Sequence, residues 1–126
     1  MNATIPHQRV AVLGSTGSIG TSTLDVISRH PERFRVVALS AHQQVDSLWR
    51  QVIAHEPEYA VVGDADGAAR LSRKVAARRL NTRVLCGTEG LESVAQAADV
   101  DTVMAPAFAN GERAARIEKG EIGKPF

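Results

Sequence analysis

The seven residues Gly14-Ser15-Thr16-Gly17-Ser18-Ile19-Gly20 constrain this chain more than anything else in it. They follow the apolar run Val10-Ala11-Val12-Leu13 and lead into Thr21-Ser22-Thr23-Leu24-Asp25-Val26-Ile27. The order is strand, glycine-rich turn, helix. Such a turn brings bare backbone N–H groups and the positive end of a helix to one point, which is what a pyrophosphate requires. Glycine serves by tolerating positive φ and by leaving no Cβ between backbone and ligand. The spacing is G-x-x-G-x-x-G rather than G-x-G-x-x-G, and glycines of either spacing also occur in strand-to-helix turns that only pack. The strong preceding strand favours a phosphate or dinucleotide role. So do the hydroxyls of Ser15, Thr16 and Ser18, which can donate to phosphate oxygens.

Apolar runs and helical patterns alternate along the rest of the chain. Residues 10–13 read as a strand and 18–28 as a helix, stopped by His30-Pro31 because the residue before proline is pushed out of the α region. Phe34-Arg35-Val36-Val37-Ala38-Leu39 is a second strand. Val45, Leu48, Trp49, Val52 and Ile53 then recur at helical spacing up to Pro57. Tyr59-Ala60-Val61-Val62 is a third strand, and Asp64 caps a helix through Ala68, Leu71 and Val75 to about Arg79. Arg83-Val84-Leu85-Cys86 is a fourth strand, followed by a short helix with Thr88 as N-cap across Leu91, Val94 and Ala98. Asp101-Thr102-Val103-Met104-Ala105 is a fifth. Five strands alternating with four helices predict a single α/β domain: a Rossmann-like, doubly wound parallel sheet with right-handed crossovers and helices on both faces. Ligands of such sheets sit at the carboxyl ends of the strands, where strand order reverses. The expected site is therefore built from the glycine loop and the ends of the second, fourth and fifth strands.

Composition narrows the partners. A net charge of +1 argues against nucleic acid or an anionic membrane, and no apolar run approaches membrane-spanning length. The basic run Arg70, Arg73, Lys74, Arg78, Arg79, Arg83 reads as the solvated face of a surface helix. The one cysteine, Cys86, excludes an internal disulfide and fits a reducing cytoplasm; at a strand end it reads as a small buried hydrophobe. His7, His30 and His55 show no metal-ligand spacing, and no Ser-His-Asp set or carboxylate pair stands out.

The end of the second strand selects the nucleotide. Enzymes specific for NAD place Asp or Glu there to hold the ribose hydroxyls, and that carboxylate would repel a 2′-phosphate. Here the stretch reads Ser40-Ala41-His42-Gln43-Gln44, with no acid between Phe34 and Val45. Ser40, Gln43 and Gln44 can hydrogen-bond a phosphate, and His42 can do so with partial positive charge. NADP is favoured over NAD. Arg or Lys, the stronger phosphate partners, are missing from this stretch.

As a group, Val12-Leu13 with the loop, Ser22-Thr23-Leu24-Asp25-Val26, His30-Pro31, residues 34–39, Pro57-Glu58-Tyr59-Ala60-Val61-Val62, Gly87 after the fourth strand, and Asp99-Val100-Asp101-Thr102-Val103-Met104 closely resemble the N-terminus of the 1-deoxy-D-xylulose 5-phosphate reductoisomerase family. The resemblance covers about residues 9–105. It implies an NADPH-binding domain of an isoprenoid-pathway enzyme that converts deoxyxylulose phosphate to methylerythritol phosphate. That enzyme uses NADPH and Mg²⁺ or Mn²⁺, as a cytoplasmic homodimer. By position, Thr16, Gly17, Ser18 and Ile19 would form the pyrophosphate region, with the loop's Gly14 and Gly20 as further cofactor-binding candidates, and His42, Gln43 and Gln44 would stand at the adenosine ribose and its phosphate. Residues 1–8 read as an extension and 106–126 as a divergent tail. From Pro106-Ala107-Phe108-Ala109 onward the sequence departs from the family, whose metal and substrate sites lie further on. The expectation is a cofactor-binding portion that does not turn over by itself. A truncated product, a shifted frame, a cut domain and a stand-alone nucleotide- or partner-binding module all stay open on the sequence.

Overall fold

In the computed structural model, residues 8–106 and 114–118 are described. β1 (Gln8–Val12), β2 (Phe34–Ala41), β3 (Tyr59–Val62), β4 (Arg83–Cys86) and β5 (Thr102–Pro106) pair in parallel, and β6 (Ala114–Glu118) joins β5 antiparallel. The order across the sheet is β4-β3-β2-β1-β5-β6. Between the strands lie α1 (Ser18–Ser28), α2 (Val45–His55), α3 (Ala65–Ala77) and α4 (Gly87–Gln96).

The steps from β1 to β4 all run one way across the sheet. Right-handed crossovers therefore put α1, α2 and α3 on the same face. Leu24 and Ile27 of α1, Leu48 and Val52 of α2, and Leu71 and Val75 of α3 bury there against Val10, Val12, Val36, Leu39 and Val62. The return from β4 to β5 runs the other way, so α4 lies on the opposite face, with Val94 and Ala95 against Ala11, Val37, Ala38, Val61 and Val103. A register shift lets β2 serve both faces: Val10 pairs with Val36 but Ala11 with Ala38, so Val37 and Ala38 both turn toward α4. Strand order reverses between β1 and β5, and a crevice opens at the carboxyl end of β1, on the side of β2.

Asp64 caps α3 as predicted, its Oδ1 accepting the Gly67 N–H at 2.7 Å. Trp49 packs half-buried against the core, and the basic residues of 70–83 face solvent or lie at its edge. Several expectations are corrected. β1 starts two residues earlier, at Gln8, and β2 runs two residues further, to Ala41. Thr88 is not the cap of α4. Gly87, at φ 70°, turns the chain directly from strand to helix, and Cys86 occupies the cap without a side-chain bond. Cys86 is exposed rather than buried, because β4 is the sheet edge. Ala98 lies beyond α4 and is exposed; Ala95 fills the core position instead. The carboxyl end of β4 is three strands away from β1 and takes no part in the crevice. The antiparallel β6 had no counterpart in the sequence reading. Gln8, expected in the 1–8 extension, belongs to β1, while residues 1–7, His7 among them, and most of the 106–126 tail lie outside the described residues.

Candidate functional site

The site is built on the way the chain leaves β1. The Leu13 N–H donates to the Met104 carbonyl at 2.8 Å, so pairing with β5 persists one residue past the strand. Gly14, at φ 65°, then turns the chain out of the sheet, a conformation that favours glycine. The Gly17 N–H donates back to the Gly14 carbonyl at 3.2 Å, closing the turn, and α1 follows. A Cβ on Gly20 would sit 2.3 Å from the Gly14 carbonyl oxygen and 2.6 Å from Ser15 Cα. Helix and loop thus meet backbone against backbone, and only glycine permits it. Gly17 is different. It is exposed at φ −75°, and a Cβ there would meet nothing closer than 3.5 Å. The fold does not ask for glycine at 17; only something approaching from outside would. No side chain caps α1 and its first turn carries no acid. Its positive end is left to whatever enters the crevice.

That crevice is a cleft of about 360 Å³ lined by Gly14, Thr16, Gly17, Ser18, Ile19, Gly20, His42, Gln43 and Gln44. The ends of β1 and β2, far apart in sequence, bring both predicted groups to one place. Among the described residues no carboxylate lines it. Beside it, Val12, Leu13, Ile19, Gly20, Thr23, Met104 and Ala105 enclose a small apolar niche between β1, α1 and β5.

Two predicted phosphate donors lie elsewhere. Ser40 is inside β2 and 6% exposed; its Oγ accepts the Gly14 N–H at 2.8 Å and its carbonyl accepts the Ser15 N–H at 2.8 Å. Ser15 is fully buried, and its hydroxyl donates to Gln51 Oε1 at 2.6 Å, with the Ser40 carbonyl 3.1 Å away. Both serines hold the loop from beneath rather than line the cleft. Two residues escaped the sequence reading. Gln51 of α2 returns a bond from Nε2 to the Ser15 carbonyl at 2.8 Å. Gly63 donates its N–H to the His42 carbonyl at 3.0 Å, and a Cβ there would fall 2.5 Å from His42 Nδ1. For Gln51 the available signal was a polar residue between Leu48 and Val52 on the flank of the apolar stripe.

Away from the cleft, at the end of α2, burial holds His55 below the usual 6.5. Among the described residues no group of three His, Cys, Asp or Glu side chains could hold a metal ion. No helix among them is long and apolar enough to cross a membrane.

A mainly parallel sheet with helices on both faces and a glycine-rich turn at its switch point defines a Rossmann-like α/β domain. The sequence matches the profile of 1-deoxy-D-xylulose 5-phosphate reductoisomerase over residues 10–111. The chain belongs to that family. It is similar to the 1-deoxy-D-xylulose 5-phosphate reductoisomerase of Paraburkholderia xenovorans, with 47% identity over 94% of this chain and 29% of the relative. It is likewise similar to that of Methylococcus capsulatus, with 54% identity over 76% of this chain and 25% of the relative. Among solved structures, a DOX-P reductoisomerase in complex with NADPH, fosmidomycin and magnesium superposes with a TM-score of 0.73 and 43% identity, covering 76% of this chain and 23% of that one. The Zymomonas mobilis enzyme in complex with NADPH gives 0.73 and 32% identity, covering 82% and 27%. The chain spans between about a quarter and three-tenths of the length of these relatives.

Proposed function

We propose that this chain is the NADPH-binding N-terminal portion of a 1-deoxy-D-xylulose 5-phosphate reductoisomerase, the enzyme that rearranges and reduces deoxyxylulose phosphate to methylerythritol phosphate. The observation that carries this is the cleft in which the glycine turn and the acid-free end of β2 face one another. The residues fit the cofactor. Gly14 and Gly17 leave backbone bare, the positive end of α1 lies at the cleft, and among the described residues no carboxylate lines it to oppose a 2′-phosphate.

In this reading Gly14, Thr16, Gly17, Ser18, Ile19 and Gly20 hold the pyrophosphate, and His42, Gln43 and Gln44 hold the ribose and its 2′-phosphate. Ser40 acts through Gly14. The cofactor, once bound, supplies the hydride for the reduction; the chain's own residues bind and orient it. The divalent ion that the family implies finds no fitting ligand set among the described residues. In this reading residues 9–105 are the cofactor-binding unit, with 1–8 an extension and 106–126 a divergent tail, of which Gln8, Pro106 and residues 114–118 belong to the sheet. Deoxyxylulose phosphate, a homodimeric partner and a cytoplasmic setting belong to the whole enzyme in this reading.

Titrating the chain with NADPH and NADH, followed by the quenching of Trp49 fluorescence or by calorimetry, tests it. NADPH should bind at least about tenfold more tightly than NADH, a difference of about 1.4 kcal/mol. Equal or tighter NADH binding would sink the cofactor assignment. Replacing Gly17 by Val should abolish binding without lowering thermal stability by more than a few degrees.

A further inference from the structure

We infer that Gln51 is a positioning residue for the cofactor: it fixes the Ser15–Thr16 peptide so that the Thr16 N–H is presented to a pyrophosphate. This rests on the reading of the cleft given above. Gln51 touches no part of the cleft itself. Its amide forms a reciprocal clasp with Ser15, donating from Nε2 to the Ser15 carbonyl at 2.8 Å while accepting the Ser15 hydroxyl at Oε1 at 2.6 Å. Ser15 is fully buried and Gln51 partly so, and a lost partner leaves the buried Ser15 polar groups unsatisfied.

The consequence follows from peptide geometry. In a planar trans peptide the C=O of one residue and the N–H of the next point in opposite directions. No peptide bond among the described residues is cis. The Ser15 carbonyl is drawn inward to Gln51, with Thr21 Oγ1 as a second, longer donor at 3.4 Å. The N–H of Thr16 is therefore aimed outward, and Thr16 lines the cleft. Were the Ser15 carbonyl released, the peptide could rotate. A carbonyl oxygen would then face the phosphates and repel the charge that the N–H attracts. Gln51 also sits on α2, the helix that the His42–Gln44 segment enters, so a single amide ties the two halves of the cleft together.

Two substitutions separate this role from simple packing. Gln51→Leu removes both bonds at similar volume. Gln51→Glu keeps an acceptor for the Ser15 hydroxyl but sets a carboxylate against the Ser15 carbonyl. Each variant and the parent are titrated with NADP⁺ and, separately, with adenosine 2′-monophosphate, which lacks the pyrophosphate. The amide resonance of Thr16 is followed by NMR. The parent should bind both ligands, with the Thr16 amide shifting on NADP⁺ and not on adenosine 2′-monophosphate. Both variants should bind NADP⁺ at least tenfold more weakly yet bind adenosine 2′-monophosphate within about twofold of the parent. Variants that keep NADP⁺ affinity within twofold, or lose both ligands equally, would overturn the inference. If neither variant folds, the parent alone decides: a Thr16 amide that does not move at NADP⁺ saturation overturns it. Failure of the parent to bind either ligand would instead strike the proposed function.

Discussion

Alanine at Gly20 should unfold the phosphate loop's support even though it improves the helix that Gly20 belongs to. Replacing glycine by alanine inside a helix ordinarily stabilises by about 1 kcal/mol. Here the new methyl would lie 2.3 Å from the Gly14 carbonyl oxygen, 2.6 Å from Ser15 Cα and 2.9 Å from the Ser15 carbonyl carbon. All three are backbone atoms, so no side chain can swing aside, and the loop must retreat by roughly 1 Å to restore normal contact. That retreat strains the Gly14 bond to Ser40 Oγ and the Ser15 clasp beneath it. Overpacking of a rigid site costs about 3 kcal/mol at the upper end of its range, which leaves a net loss of about 2 kcal/mol. For a chain of this size that lowers the melting temperature by about 7 °C. Gly17→Ala is the matched control. Its Cβ meets only the Gly14 oxygen, at an ordinary 3.5 Å, and the residue holds φ −75°. Its loss should stay near 0.5 kcal/mol, from the poorer N-cap. Thermal unfolding of the three proteins by circular dichroism, with NADPH titration alongside, reads both effects. A Gly20→Ala protein as stable as its parent, or a Gly17→Ala protein that falls just as far, would refute the reasoning.

Gly63→Ala would press its methyl to 2.5 Å from His42 Nδ1 and 2.6 Å from the His42 carbonyl, displacing the 42–44 segment. NADPH affinity should drop about tenfold and NADH affinity much less, as parallel titrations would report. Asp64→Ala removes the oxygen that accepts the Gly67 N–H, and urea denaturation should show a loss of about 1 kcal/mol. His55 is held below 6.5 in the folded chain by burial, so the unfolded chain binds more protons in that window. Its contribution to stability is complete above 6.5 and is lost as the pH falls through the lowered folded value. A melting series from pH 7.5 to 4.5 should therefore show a shallower acid decline for His55→Gln than for the parent.

The elements that bury on both sides were legible as unbroken apolar runs: Val10 to Val12, Val36 to Leu39 and Tyr59 to Val62 all fall in strands. Edges were less so. Ser40 reads as loop because it is polar, yet it lies in β2 with its hydroxyl spent on Gly14. Cys86 reads as buried because it follows Val84-Leu85, and only the strand order reveals that β4 is an edge. That the loop and residues 42–44 line one cleft was legible because both follow the carboxyl ends of neighbouring strands. The clasp from Gln51 was not, since the pairing of a helix residue with a loop 36 positions earlier depends on where α2 lands. The distinction between Gly17 and Gly20 was likewise hidden: both are glycines of one motif, and only coordinates show which one the fold needs.

The reversal of strand order at β1 also dictates when the molecule can be complete. β1 to β4 are joined by successive neighbouring crossovers, so that half of the sheet closes through comparatively short chain loops. The chain must travel back beneath the whole sheet before Asp101, just ahead of β5, can meet Arg9, a contact spanning 92 residues. Loop-closure entropy makes such distant pairings slow to gain, and they form after nearer ones have prepaid the ordering. During synthesis β5 is also the last of the parallel strands to emerge. The β5 wall of the apolar niche beside the cleft, Met104 and Ala105, is therefore a late acquisition, and a chain paused before residue 102 would carry the glycine turn with one side of its strand still unpaired.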